Sequence, residues 1–286
     1  MIQTILIYGL ILTCLYSLMA IGFSLIFGVA DIINLSHGMI IISACYVVFL
    51  LVTNVDWPLW ACIPLGVIAS MLFIAIIYLG FIRKMLTGPH ISMILLTAGL
   101  AMAIQQVIIL VAGPQTKFVP SMIEGSSTIL GVVLSNQQIL SVVVAFILVF
   151  LLGLFLQYAK LGMAIRAVSQ DRDTASMSGI NAERVFLATM IIAGILAGTA
   201  GVLVAPIEAL IPELGWEMMV LAFTVTVLAG LGGPVWGVVA SAAIVAYSEL
   251  LTAFFVSPRL KEAAAFVILI LTLMFKPSGL FGKKRL

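Results

Sequence analysis

The chain has 286 residues, of which 64% are hydrophobic and 8% charged, with 13 Lys and Arg against 11 Asp and Glu for a net charge of +2. A soluble domain carries about 25% charged residues, so a mean hydropathy of +1.32 leaves too little polar surface for water to solvate. The balance of charge excludes a basic face for nucleic acid, and Cys14, Cys45 and Cys62 lie in or beside apolar runs without metal-site spacing.

Lipid is therefore the solvent, and in lipid every unpaired backbone N–H or C=O costs several kcal/mol, which only helices and closed barrels avoid. Barrel strands alternate apolar and polar residues; here the apolar runs are continuous. The expected fold is an all-α integral membrane protein, one transmembrane domain over 1–286, with about eight or nine transmembrane helices. A span needs roughly 20 apolar residues, which places candidates near 5–28, 36–53, 60–82, 92–112, 137–157, 186–205, 217–232, 235–256 and 263–280. The first basic residue is Arg83, so 5–28 lacks the positive flank of a cleavable signal and reads as a retained span. The stretch Gly22–Gly38 is expected to be a broken helix or a full one. The short 217–232 segment, ending Gly230-Leu231-Gly232-Gly233-Pro234, is expected to be full or re-entrant.

Loop charge sets orientation. Arg83, Lys84 and His90, then Lys160, Arg166, Arg172 and Arg184, then Lys283, Lys284 and Arg285 mark cytoplasmic regions. The 113–136 loop and the acidic 206–217 loop fall outside. With nine crossings the N-terminus is outside and the C-terminus cytoplasmic, and Arg259 and Lys261 fit this less well.

Within the spans, chemistry is sparse. No G-x-x-x-x-G-K-[ST] is present, and neither His37 nor His90 has a triad partner or a metal-ligating cluster. No catalytic residue and no metal site is expected. Glu249 is the main ionisable residue at membrane depth, with Asp31 near a helix end. Ion-coupled transporters place carboxylates or His relays there, so their scarcity points to energy supplied by another polypeptide.

The connection at 158–185 carries seven of the 24 charged residues. Asp171 is placed to cap a short helix of about two turns, Gly179 to end it in the left-handed conformation, and Asn181 to cap the next helix with Glu183 in its first turn. Ala175, Ser176 and Ser178 keep the short helix slim. Two capped elements in one loop favour docking into a partner's groove over an ordinary solvated loop.

Asp173-Thr174-Ala175-x-x-x-Gly179 resembles a degenerate form of the E-A-A-x-x-x-G loop of ABC importer permeases. The whole of Leu161–Arg184 is similar to the permease subunits of branched-chain amino acid importers. So are Gly22-Phe-Ser-Leu-Ile-Phe-Gly28, Asn34-Leu-Ser-His-Gly38, Ala197-Gly-Thr-Ala-Gly-Val-Leu203, Leu231-Gly-Gly-Pro-Val-Trp-Gly237 and Pro277-Ser-Gly-Leu-Phe-Gly282. The resemblance implies a multi-pass subunit of the inner membrane that binds no cofactor itself. It implies two ATPase subunits holding ATP and magnesium, a second homologous permease and an external solute-binding protein. It places ATPase docking on Arg166, Gln170, Asp171, Asp173, Thr174, Ala175 and Gly179. Asp173 and Thr174 depart from the usual Glu and Ala, which leaves open which loop residues touch the ATPase.

Asp31, Asn34 and His37 recur every third residue, so on a helix they share a side. Asn34, His37 and Gly38 then line the inner mouth of a pathway or meet the ATPase; a polar junction between helices fits the same spacing. Gly194, Gly198 and Gly201, and Gly233 and Gly237, form small-residue stripes suited to close helix packing. Urea, short amides and sugars stand as alternative solutes. An ion-coupled transporter working alone is the rival class, and a lipid-modifying enzyme is disfavoured for want of clustered carboxylates or a His base.

Overall fold

The computed structural model describes residues 2–86 and 88–282; the basic cluster Lys283, Lys284 and Arg285 lies outside them. Twelve α-helices follow in chain order: α1 (Ile2–Ala30), α2 (His37–Asn54), α3 (Leu59–Ile77), α4 (Arg83–Met85), α5 (His90–Ala112), α6 (Asn136–Tyr158), α7 (Lys160–Gln170), α8 (Arg172–Met177), α9 (Ala182–Val204), α10 (Leu214–Ala229), α11 (Val235–Phe255) and α12 (Lys261–Phe275). A π-turn, Tyr78–Ile82, joins α3 to α4 so that Leu59–Met85 forms one 27-residue rod. Seven of the helical segments are long and apolar enough to cross a membrane. The shorter α10 and α12 occupy the regions expected as spans at 217–232 and 263–280. At 1.5 Å per residue α10 reaches only about 24 Å, short of the roughly 30 Å hydrocarbon layer.

Two expectations are corrected. Gly22 and Gly28 lie inside α1, which runs unbroken to Ala30; the chain breaks only over 31–36, where Asp31 takes φ 55° after its N–H closes on Phe27 O. Asp31 and Asn34 are thus in a connector and His37 opens α2, so the three do not share a helix face. The all-helical class stands, with one short hairpin added to it. Strands β1 (Ser126–Ile129) and β2 (Val132–Ser135) form an antiparallel hairpin with Ile129 opposite Val132. Leu130 and Gly131 turn the chain with φ 51° and 79°, the left-handed pair that a two-residue hairpin needs. Leu is an unusual residue for that position, which is why the hairpin is hard to see in the sequence.

Helix starts follow recognisable local chemistry. Pro58, Pro89 and Pro234 immediately precede α3, α5 and α11 in extended conformation, as the fixed proline φ favours. At α6, Ser135 and Gln138 form a reciprocal capping box. In the bundle, α1, α2, α9 and α10 are mostly buried, while α5, α6 and α12 turn broad apolar faces outward. Close approach holds the centre. An added Cβ on Gly201 would lie 2.2 Å from Ile41 O of α2. On Gly194 and Gly198 it would lie 3.0 and 2.9 Å from the Cα atoms of Met71 and Val67 in α3. Gly233 sits in the turn before α11, donating its N–H to Gly230 O, and Gly237 faces the Phe281 ring.

The connectors gather at two ends. At one, Arg83 pairs with Glu183, Gly28 abuts Gly232, and Leu280 and Phe281 donate their N–H groups to Leu228 and Ala229. At the other, Lys117 and Leu210 exchange backbone hydrogen bonds and Lys117 lies 5.7 Å from the Phe49 ring.

Candidate functional site

The first end carries a projecting helical handle. After α6 the chain turns at extended Ala159, and Gly162 lets α7 approach so closely that a Cβ there would lie 2.2 Å from Phe155 O. α7 buries Gly162, Ile165 and Val168 and exposes Arg166, Ser169 and Gln170. This amphipathic helix is not among the elements expected from the sequence; α8, the short element expected between Asp171 and Gly179, is a capped piece of six residues.

α8 is defined by its own hydrogen bonds. Asp171 Oδ1 accepts from the backbone N–H groups of Asp173 and Thr174 at 2.9 and 3.0 Å, and Oδ2 accepts from Thr174 Oγ1 at 2.8 Å. These donors, Thr174 first, hold the Asp171 carboxyl below the usual carboxylate range. At the far end Ile180 N–H bonds Ala175 O, Gly179 N–H bonds Ser176 O, and Gly179 has φ 83°, the geometry of a Schellman stop. Asn181 Oδ1 then accepts from Arg184 N–H to open α9.

The sequence-named residues fall on this handle in different attitudes. Arg166 Nη2 donates back to Gln157 O. Gln170, Asp171, Asp173, Thr174 and Gly179 are exposed, whereas Ala175 is buried against the chain. Met177, which the sequence reading passed over, is 90% exposed at the tip between exposed Ser176 and Ser178. Its signal was an apolar side chain in a short, otherwise polar helix. Two further contacts were also missed: the Arg83–Glu183 pair and the Arg172 guanidinium 5.0 Å from the Phe186 ring. Both tie the handle end to α9.

The second polar locus is the elbow between α1 and α2. Asn34, Ser36 and His37 are fully buried. Asn34 Oδ1 accepts from Ser36 N–H and Oγ–H, while Thr97 Oγ1 bonds both Ile33 O and Leu35 N–H. His37 Nε2 lies 3.1 Å from Met19 O. A carbonyl only accepts, so Nε2 carries the proton and Nδ1 of the neutral ring is an acceptor. Among the described residues that Nδ1 and Asn34 Nδ2 have no partner. Gly38 meets α10, where a Cβ would lie 1.9 Å from Gly215 O. A cleft of about 400 Å³ opens nearby between Phe27, Asp31, Ile33, Met85, His90 and Ile94.

Among the described residues no group of three His, Cys, Asp or Glu is arranged to hold a metal ion. Glu249 is buried in α11 and takes a hydrogen bond from Tyr16 Oη at 2.6 Å. The sequence exposed Glu249 as a lone charge but gave no hint of Tyr16, 233 residues away.

A bundle of apolar helices with buried polar elbows and a capped handle at one end defines a multi-pass membrane transport subunit. The family model for the branched-chain amino acid transport system permease component matches residues 5–273, and the chain belongs to that family. It is 29% identical to the high-affinity branched-chain amino acid transport system permease protein BraD of Pseudomonas aeruginosa, over 97% of this chain and 95% of the relative. It is 28% identical to LivH of Salmonella typhimurium and 27% identical to LivH of Escherichia coli K12, each over 96% of this chain and 94% of the relative. No solved structure matches it.

Proposed function

We propose that this chain is a permease subunit of an ATP-driven importer carrying branched-chain amino acids across the inner membrane. Two ATPase subunits holding ATP and magnesium, a second homologous permease and an external binding protein complete the machine. The observation that carries this reading is α8: a six-residue helix capped at both ends by its own hydrogen bonds, presenting Met177 outward. A local hydrogen-bond set makes the element rigid enough to be pushed as one piece, and a solvent-exposed methionine is a flexible apolar knob suited to a partner's pocket. Arg172–Phe186 then passes displacement to α9, which Arg83–Glu183 ties to α4 and which is packed on α2 and α3 at its glycines. Rocking of that block opens the pathway alternately to each side. In this arrangement the handle end is cytoplasmic, the N-terminus is outside, and Asn34, His37 and Gly38 act at the inner gate.

The test is co-expression and reconstitution. Copurification of a P-loop ATPase, with leucine uptake that requires ATP and the binding protein, is the expected result. Leucine uptake by the purified chain alone under an ion gradient would refute it. Urea or sugar uptake in place of leucine would keep the machine and replace the solute.

A further inference from the structure

We infer that Tyr16 and Glu249 form a membrane-embedded subsite for the ammonium group of the transported solute, an inference that rests on the amino-acid importer reading above. Glu249 is the only Asp, Glu, Lys or Arg lying more than one turn from an end in the spanning helices. Tyr16 stands at the midpoint of α1. Glu249 lies six residues, about 9 Å, from the Phe255 end of α11, so the pair sits inside the hydrocarbon layer toward that end.

The carboxyl is 5% exposed, and among the described residues no basic side chain lies within ion-pair distance of it; Lys261 acts on it only from farther off. Tyr16 satisfies Oε2, and among the described residues no donor reaches Oε1. With Tyr16 as its one donor the buried carboxyl keeps a second oxygen to be satisfied, and ionisable residues inside the membrane mark solute paths. The surroundings fit one kind of partner. Thr13 and Ser17 share the Tyr16 region of α1, and Ser248 and Thr252 flank Glu249 on α11. Each of these hydroxyls spends its proton on its own helix, on Gly9 O, Thr13 O, Ile244 O and Ser248 O respectively. What these hydroxyls keep is oxygen lone pairs, so the pair's neighbours along each helix add acceptors to the carboxyl. An ammonium group brings three donors and no acceptor, so an amino acid's charged nitrogen complements it where a sugar hydroxyl or a urea carbonyl does not. Gly9 permits the packing, since a Cβ there would lie 2.2 Å from the Tyr247 ring, and Tyr247 Oη donates to Leu6 O across the same contact.

Two measurements on the assembled importer test this. In proteoliposomes with the binding protein, Glu249→Gln is expected to lower ATP-driven leucine uptake by about tenfold or more, the worth of one charge-assisted hydrogen bond. Glu249→Asp should recover part of it and Tyr16→Phe should lie between. In the wild-type complex without the binding protein, labelling of Glu249 by dicyclohexylcarbodiimide is followed by mass spectrometry. Leucine and leucinamide, which carry the ammonium, should slow it, and 4-methyl-2-hydroxypentanoate should not. Uptake by Glu249→Gln within about twofold of wild type, a difference below that of a single hydrogen bond, overturns the subsite whatever the labelling shows. Equal protection by the hydroxy acid overturns it too. Absence of leucine uptake by the wild type defeats the importer reading and the subsite together, whereas normal uptake in Glu249→Gln defeats the subsite alone.

Discussion

The handle at 160–181 and the α2–α3–α9 spine are built by opposite means. In α8 every stabilising hydrogen bond spans six residues or fewer: Asp171 to Asp173 and Thr174, Ile180 to Ala175. In the spine the decisive contacts join residues far apart in sequence, Gly201 to Ile41 and Gly198 to Val67. The handle's shape is therefore set by its own residues, and the spine's by contacts between helices. Lipid gives helices no hydrophobic reason to associate, so close packing at small residues is what holds the block together. The handle meets α9 where the Arg172 guanidinium lies over the Phe186 ring.

The comparison breaks most severely at Gly201. Gly201→Val places two methyl groups where even a Cβ would strike Ile41 O, and overpacking of this kind costs about 3 kcal/mol or more. The expected outcome is loss of a monodisperse complex in detergent by size-exclusion chromatography. Gly99→Ala on the outer face of α5, where nothing lies within 4 Å, should change thermal stability by no more than about 0.5 kcal/mol.

At the handle, the expected effects fall on coupling and leave insertion intact. Gly179→Val meets no atom but must adopt φ 83°, a conformation a β-branched residue resists. Membrane insertion should be normal, while ATP-driven uptake falls by about tenfold or more if the distorted stop costs 1–2 kcal/mol. Met177→Asp removes the apolar tip without touching either cap. Uptake should fall about fivefold to tenfold, the loss of one buried apolar contact at an interface, with handle amide protection by hydrogen exchange unaltered.

The smallest effect is a pH dependence. Asp171 has a folded pKa below its unfolded value, so its cap is fully present above the ordinary Asp range of about 3.9. It is lost as pH falls through the lowered folded value. Exchange of the Thr174 amide, which donates to Asp171, should accelerate relative to other handle amides only at that acid end. Asp171→Asn, which still caps, should abolish the acid step.

Legibility followed the range of the interactions. Asp171, Gly179 and Asn181 were readable as caps because a cap is a bargain between near neighbours. Continuous apolar runs announced the helices because the bilayer demands them. α7 was missed because its apolar positions Ile165 and Val168 are diluted by charge, and the hairpin because Leu130 is a poor advertisement for a left-handed turn. The elbow was misread: a three-residue spacing suggested a helix face for Asp31, Asn34 and His37, yet the chain leaves the helix at Asp31.

By itself the amino-acid order determined a helical membrane chain, its approximate spans, the capped handle and the family to which it belongs. These depend on solvent, local geometry and short motifs, all written contiguously along the chain. Only the tertiary structure decided that Ala175 faces inward and Met177 outward, that α9 is the spine, and that Tyr16 meets Glu249. Those facts are set by the angle and depth at which apolar helices cross, and in a bundle with so few polar residues many crossings bury hydrocarbon about equally well. Glycine contacts and isolated hydrogen bonds between distant residues select among them, and no spacing along one helix records which neighbour it will meet.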